Sequence, residues 1–180
     1  TASLWSQLSG SERRILDRQL ETGVQVFPTS SAGRLFDAVS ALLGVCTKVT
    51  YEGQAAMELE SAGASFLQQK SGSDRALGGI EGRGVYAYEL RAENEGLVLG
   101  VGPLLKELAD EILQGVSREE IAYRFHQTMA RAIVDMAVRL GVGEGPMVLS
   151  GGVFQNKLLT EAVLQHCQRH NIKVLRSRSL

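Results

Sequence analysis

The chain reads as a helix-rich α/β protein, and three observations carry that reading. Near the C-terminus, Pro146-Met-Val-Leu-Ser-Gly-Gly-Val-Phe-Gln-Asn156 opens with a short apolar run, Met147 to Leu149, of strand character. Two glycines then turn the chain into a periodic segment, Asn156 to His170, of helical character. A second short apolar run, Ile172 to Leu175, follows, and a helix crossing between two such runs makes them parallel strands. Upstream, Ser117-Arg-Glu-Glu120 has the form of a capping box and launches a helix to about Leu140, the longest element and the expected spine of the core.

The glycine turn is chemically suggestive. Gly151 and Gly152 have no Cβ, so backbone N–H groups there can approach an anion closely, and the following helix adds the partial positive charge of its first turn. Asn156 stands where a side-chain amide reaches a ribose or base. The same pattern also arises where a strand-to-helix turn needs glycine for packing alone.

Composition narrows the class. With 180 residues, 44% hydrophobic and 22% charged, the chain allows one sizeable core, or a core plus a small lobe. Its 19 basic and 20 acidic side chains set up no global field for nucleic acid or an anionic membrane. No apolar run approaches the ~20 residues of a membrane span, and no secretory leader is expected from the N-terminal residues. Cys46 and Cys167 are too few and too far apart for a disulfide framework or a zinc knuckle, so a reducing cytoplasm is expected. The sequence starts at Thr1 rather than methionine and is expected to be a single partial domain, residues 1–180, of a longer protein.

In chain order, Ser11 to Leu20 carries helical spacing, with Ser9 or Ser11 as cap and Gly23 as stop. Pro28 and the hydroxyl residues after it make a loop. Ala32 to Gly44 is a helix whose apolar face is Leu35, Phe36, Val39, Leu42 and Leu43, capped by Ser30 or Ser31. Arg34 and Asp37 fall in its opening turns. Asp37 fits two readings, a first-turn acid favoured by the helix dipole or a carboxylate that takes the hydroxyls of a ribose. A further helix starts in Tyr51-Glu-Gly-Gln-Ala-Ala-Met-Glu-Leu-Glu60. Residues 71–84 lose hydrophobic period and read as a glycine-rich surface loop, without the Gly-Lys-Ser/Thr ending of a P-loop.

Val85 to Leu90 and Leu97 to Leu99 suggest a hairpin. Pro103 opens a helix through Leu105, Leu108, Ile112 and Leu113 to Gly115. On the long helix, Ile121, Phe125, Met129, Ile133, Met136, Ala137 and Leu140 form one stripe, with His126 on its flank as a structural residue. His166 and His170 lie one turn apart, but no glutamate accompanies them, and partial burial beside Leu159 and Val163 is the reading preferred over metal binding.

Three segments in order, Thr29-Ser-Ser-Ala-Gly-Arg-Leu-Phe-Asp-Ala-Val-Ser-Ala-Leu-Leu-Gly44, Tyr51 to Glu60 and Leu149-Ser-Gly-Gly-Val-Phe-Gln-Asn156, closely resemble the C-terminal part of the hydrogenase-maturation carbamoyltransferases, the HypF family. The resemblance covers nearly the whole chain. It extends to threonylcarbamoyladenosine synthases and antibiotic O-carbamoyltransferases, and it implies the C-terminal lobe of an actin-like, ASKHA-type nucleotide-binding fold. It implies ATP or a carbamoyl-adenylate as ligand. Asp37 is then expected at the ribose and Gly53, with Gln54 beside it, against the nucleotide. Gly151, Gly152 and Asn156 are expected at phosphate, base or ribose, with Arg34 a further member of the set.

The reaction implied for the whole enzyme consumes ATP and carbamoyl phosphate, forms carbamoyl-adenylate, and carbamoylates the C-terminal cysteine of the partner HypE. The family's divalent metal is expected on a His-His-x-Ala-His motif and an Asn-Asp-Gly-Gly aspartate, neither of which occurs in these 180 residues. No catalytic residue is assigned, and activity of this chain alone is not expected. O-carbamoylation of a small molecule and a non-catalytic protein-docking role are the alternatives. Apolar surface that a companion lobe would cover implies self-association.

Overall fold

The structure, a computed structural model, describes residues 8–71, 84–94, 96–141 and 145–176. Their contacts divide the chain into two compact units, Thr1–Leu59 and Glu60–Leu180.

In the first unit, α1 spans Gly10–Thr22. Ser9 caps it reciprocally: its Oγ accepts the Glu12 N–H at 3.3 Å, and the Glu12 carboxylate accepts the Ser9 N–H at 2.7 Å. Gly23, left-handed at φ 68°, ends it. No residue of α1 is buried, and Ile15, Leu20 and the following Val24 and Phe27 are all exposed. Helix α2, Ala32–Leu42, is capped by the Ser31 hydroxyl on the Arg34 N–H. Phe36 and Val39, with Leu43 just past its end, are buried, whereas Leu42 is exposed and leaves the expected apolar face. α3, Gln54–Ser71, begins in this unit, three residues later than Tyr51.

The second unit holds the remainder of α3 and a hairpin, β1 (Glu89–Glu93) and β2 (Gly96–Gly100), paired antiparallel from Glu89↔Gly100 to Glu93↔Gly96. Its first strand was expected at Val85 to Leu90. Pairing begins later because the preceding amides are engaged elsewhere: Tyr86 N–H donates to Thr128 Oγ1 (2.9 Å) and Ala87 N–H to Glu107 Oε2 (3.3 Å). The expected loop over 71–84 lies outside the described residues, apart from Ser71 and Gly84 at its ends.

Helix α4, Gly102–Leu113, has Pro103 in its first turn, where a missing N–H costs nothing. It buries Leu104 and Leu108 and leaves Leu113 exposed. Helix α5, Arg118–Arg139, is 22 residues long, with Ser117 Oγ accepting the Glu120 N–H at 3.2 Å. Its first half is buried on every side rather than along one stripe: Ala122, Tyr123, Arg124, His126, Thr128 and Ala130 join Ile121, Phe125 and Met129, while Leu140 is exposed. The polar members are paired. Arg124 bonds Glu111 and lies 4.3 Å over the Tyr86 ring, the Tyr86 hydroxyl donates to Glu111 (2.7 Å), and Thr128 donates to the Arg124 carbonyl (2.7 Å). Periodicity could not show this, because Arg124, His126 and Thr128 each also have a partner far away in sequence, Glu111, Asn156 and Tyr86 in turn.

β3 (Met147–Leu149) and β4 (Val174–Arg176) pair in parallel, joined through a short 3-10 turn (Gly152–Gln155) and α6 (Lys157–Arg169). β4 starts later than Ile172 because the Ile172 N–H closes the end of α6 on the Cys167 carbonyl at 2.9 Å. α6 packs on α5, and Phe66 of α3, Tyr123 and Leu158 form a cluster. At Gly63 the helices approach closely: a Cβ there would stand 2.8 Å from Leu158 Cδ2 and 3.2 Å from both Tyr123 N and Cα. Among the described residues no helix is long and apolar enough to cross a membrane.

Candidate functional site

Four of the residues singled out by sequence lie in the first unit. Arg34 and Asp37, one turn apart on α2, are brought together as an ion pair at 2.7 Å. Asp37 stands in the second turn, not the first, which carries no acid. Its carboxylate is therefore held by the Arg34 guanidinium rather than by the helix dipole, whose effect fades beyond the first turn. Both groups are partly exposed, so the pair is worth at most ~1 kcal/mol.

Gly53 is left-handed at φ 80°, a conformation that excludes most side chains, and open space lies where its Cβ would be. Gln54 beside it is engaged locally. Its Oε1 accepts the Thr50 N–H at 2.7 Å and the Thr50 hydroxyl at 3.1 Å, and its Nε2 donates to Glu58 at 2.8 Å. That arrangement makes Gln54 the organiser of the loop that displays Gly53. Buried Cys46 is close by: loss of hydration, then the Glu58 charge, pushes its thiol above the usual range, so it is not an activated nucleophile.

The other three residues, Gly151, Gly152 and Asn156, gather in the second unit where β3 gives way to α6. Gly151 has φ 101°, which only glycine adopts readily, whereas Gly152 has no such backbone demand. A Cβ at either would meet nothing within 4 Å, and both residues are exposed. Packing therefore does not require glycine at Gly152. What remains is a backbone that a ligand can reach at van der Waals distance.

The anticipated role of the helix terminus changes, however. The first amides of α6 are already occupied from within the protein: Glu60 Oε1 accepts from Lys157 N (2.7 Å) and Leu158 N (3.2 Å), and Asn156 Oδ1 from Leu159 N (2.8 Å). An internal carboxylate thus uses the dipole that an external phosphate was expected to use. The amides left for an anion are those that open the turn before α6, at Gly151 and Gly152, since the Phe154 and Asn156 N–H groups donate to the Gly151 and Val153 carbonyls. Sequence reading missed Glu60, because only the close packing at Gly63 brings α3 onto the start of α6, and that contact has no periodic signature.

Asn156 precedes α6 as its N-cap, at φ −67° and ψ 108°, and is 8% exposed. Its Nδ2 lies 3.0 Å from His126 Nε2, and His126 Nδ1 lies 2.7 Å from the Ala122 carbonyl. A carbonyl only accepts, so His126 carries its proton on Nδ1 and accepts from Asn156 through Nε2. His126 is fully buried, and loss of hydration pushes its pKa down to about 4, with the Ala122 carbonyl working in the opposite direction. It is neutral at physiological pH. An N-cap is worth ~1 kcal/mol and a buried neutral hydrogen bond about the same.

Among the described residues no three His, Cys, Asp or Glu side chains converge to hold a metal. His166 is half-buried, with its pKa lowered by burial and then by the charges of Arg169 and Arg131; His170 is exposed, not partly buried as its spacing had suggested. The donors present do not make a metal centre. One buried polar atom has no hydrogen-bond partner among the described residues, the Ser40 hydroxyl on α2.

The second unit is thus a helix-rich α/β scaffold in which a glycine turn joins a parallel strand to a doubly capped helix. The family "Carbamoyltransferase, Kae1-like Domain, second subdomain" matches residues 2–180, and the chain belongs to it. It is similar to the carbamoyltransferase HypF of Rhodobacter capsulatus (35% identity over 88% of this chain and 19% of that protein). It is also similar to the probable carbamoyltransferase HypF of Methanocaldococcus jannaschii (28% over 93% of this chain and 20% of that protein). Among solved structures it matches full-length HypF in a phosphate- and nucleotide-bound form, with TM-score 0.78 and 30% identity over 97% of this chain and 21% of that one. The HypF of T. kodakarensis matches at TM-score 0.66 and 27% identity, again over 97% of this chain and 21% of that one. The chain thus spans about a fifth of the length of these relatives.

Proposed function

We propose that this chain supplies nucleotide-binding residues to a carbamoyltransferase with an ASKHA-type fold, acting on ATP and carbamoyl phosphate in the cytoplasm. In the proposed reaction, water converts carbamoyl phosphate to carbamate and inorganic phosphate, the carbamate oxygen attacks the α-phosphate of ATP, pyrophosphate leaves, and carbamoyl-adenylate forms. A cysteine thiolate of the HypE partner then displaces AMP to give the thiocarbamate. Gly151 and Gly152 offer backbone N–H groups to phosphate oxygens, and Asn156 offers its amide. Arg34, Asp37, Gly53 and Gln54 form the first unit's contribution, with Asp37 at the ribose hydroxyls. No step is assigned to a divalent metal, for which the described residues bring together no set of three donors.

The observation that carries this reading is Gly152: an exposed glycine that neither backbone strain nor packing explains. The solved HypF with phosphate and nucleotide bound supports it. The test is calorimetric titration with ATP. Gly152→Ala should fold and melt as the parent does, because its methyl meets nothing, yet lose at least tenfold in ATP affinity. Equal affinity in parent and variant would remove the turn from the nucleotide site.

A second reading, docking onto another protein, is favoured by α1, which buries no residue and exposes Ile15, Leu20, Val24 and Phe27. The same surface leads us to propose self-association of the 180-residue protein. Light scattering should show the mass rising with concentration and falling back in Leu20→Glu; a constant monomer mass would refute it.

A further inference from the structure

We infer that His126 is a positioning residue for the nucleotide site, acting through the amide of Asn156; the inference rests on the nucleotide reading above. An asparagine amide can be turned end for end with little change in shape, so a site that uses it must settle which end is which. Two fixed groups settle it here. On one side the Leu159 N–H, 2.8 Å away, can only donate and demands Oδ1. On the other stands His126 Nε2 at 3.0 Å, whose lone pair demands Nδ2 because the Ala122 carbonyl holds the imidazole proton on Nδ1. A reversed amide would oppose donor to donor and lone pair to lone pair at once, in a place where water cannot compensate.

The chain of command runs from the α5 backbone to the imidazole tautomer, to the amide, to the first turn of α6. Its consequence is an Asn156 with one N–H committed to His126 and a second of fixed direction, which the nucleotide reading assigns to a ribose or phosphate oxygen. Burial that keeps the imidazole neutral is part of the device, since a protonated Nε2 would repel the N–H it now accepts.

The experiment has a structural arm and a binding arm, both on the 180-residue protein. Nitrogen-15 NMR of the histidine ring should show His126 as the Nδ1–H tautomer, and an Nε2–H tautomer would overturn the inference outright. With ATP as the titrant, His126→Met should fold but lose about tenfold in affinity. His126→Gln, whose Oε1 can accept from Asn156 while its Nε2 donates to Ala122, should return to within about threefold of the parent. In an Asn156→Ala background, His126→Met should cost nothing further. Unchanged affinity in folded His126→Met, or losses that simply add in the double variant, would overturn it. Should His126→Met fail to fold, the comparison of His126→Gln with the parent and the tautomer measurement decide instead. If the parent takes up no ATP at millimolar concentration, the nucleotide reading fails and takes the inference's functional half with it. The side-chain NH2 signals of Asn156 still judge the positioning half: their collapse in His126→Met and return in His126→Gln sustain it, and signals indifferent to both variants end it.

Discussion

Replacing Gly63 by alanine sets two physical effects against each other. Inside a helix the change should stabilise by ~1 kcal/mol, because alanine loses less backbone entropy on folding. At this position the new Cβ would stand 2.8 Å from Leu158 Cδ2 and 3.2 Å from Tyr123 N and Cα. Leu158 is itself buried with Phe66 and Tyr123, and the α5 backbone at Tyr123 cannot swing aside as a side-chain tip can. Overpacking of this kind costs ~1–3 kcal/mol. The expected net effect is a loss of up to ~2 kcal/mol, or up to roughly 8 °C in Tm for a chain of this size.

Gly33 provides the control. Its Cβ would lie 3.6 Å from Ser31 Oγ, an ordinary contact, so Gly33→Ala should gain up to ~1 kcal/mol. Urea unfolding of both variants gives the comparison. If Gly63→Ala gained as much stability as Gly33→Ala, the close approach of α3 to α5 would be wrong.

Three further outcomes follow from the described contacts. His126, buried and neutral, has its pKa lowered from 6.5 to about 4, so the unfolded chain binds the proton first and stability falls as pH drops through that window. The loss amounts to ~2 kcal/mol by pH 4.5, read from urea unfolding as the difference between parent and His126→Gln from pH 7 to pH 4.5; parallel pH profiles would contradict it. Glu60→Ala removes the acceptor of two α6 amides and should cost ~1–2 kcal/mol, with Glu60→Gln recovering part of it; equal stability of all three would show that the cap contributes nothing. Ser40→Ala deletes a buried hydroxyl without a partner and should be neutral or stabilising by ~1 kcal/mol, whereas a destabilised variant would reveal a partner for that hydroxyl.

Much of the helical framework was legible because its signals are local. Ser9 with Glu12, Ser31, and Ser117 with Glu120 marked three helix starts within a few residues of themselves, and Gly23 marked an end. The parallel pairing of β3 and β4 was readable from two apolar runs flanking one helix. What escaped was set by distant contacts. The hairpin's register depends on Thr128 and Glu107 drawing off the amides of Tyr86 and Ala87.

The candidate site divides in the same way. Gly151, Gly152 and Asn156 announce themselves by type and spacing. Glu60 and His126 hold the start of α6 in place and carry no motif, since a lone glutamate or histidine on a helix has many uses. Their roles became visible once the hydrogen bonds of every α6 amide and of the Asn156 side chain were traced.

The most direct test of the nucleotide reading is an amide NMR titration of the 180-residue protein with ATP. The account predicts that the N–H signals of Gly151 and Gly152 move along one saturation curve, while Gly33 and Gly63 stay still. Saturable ATP binding that leaves Gly151 and Gly152 unmoved, or no binding at millimolar ATP, would contradict it.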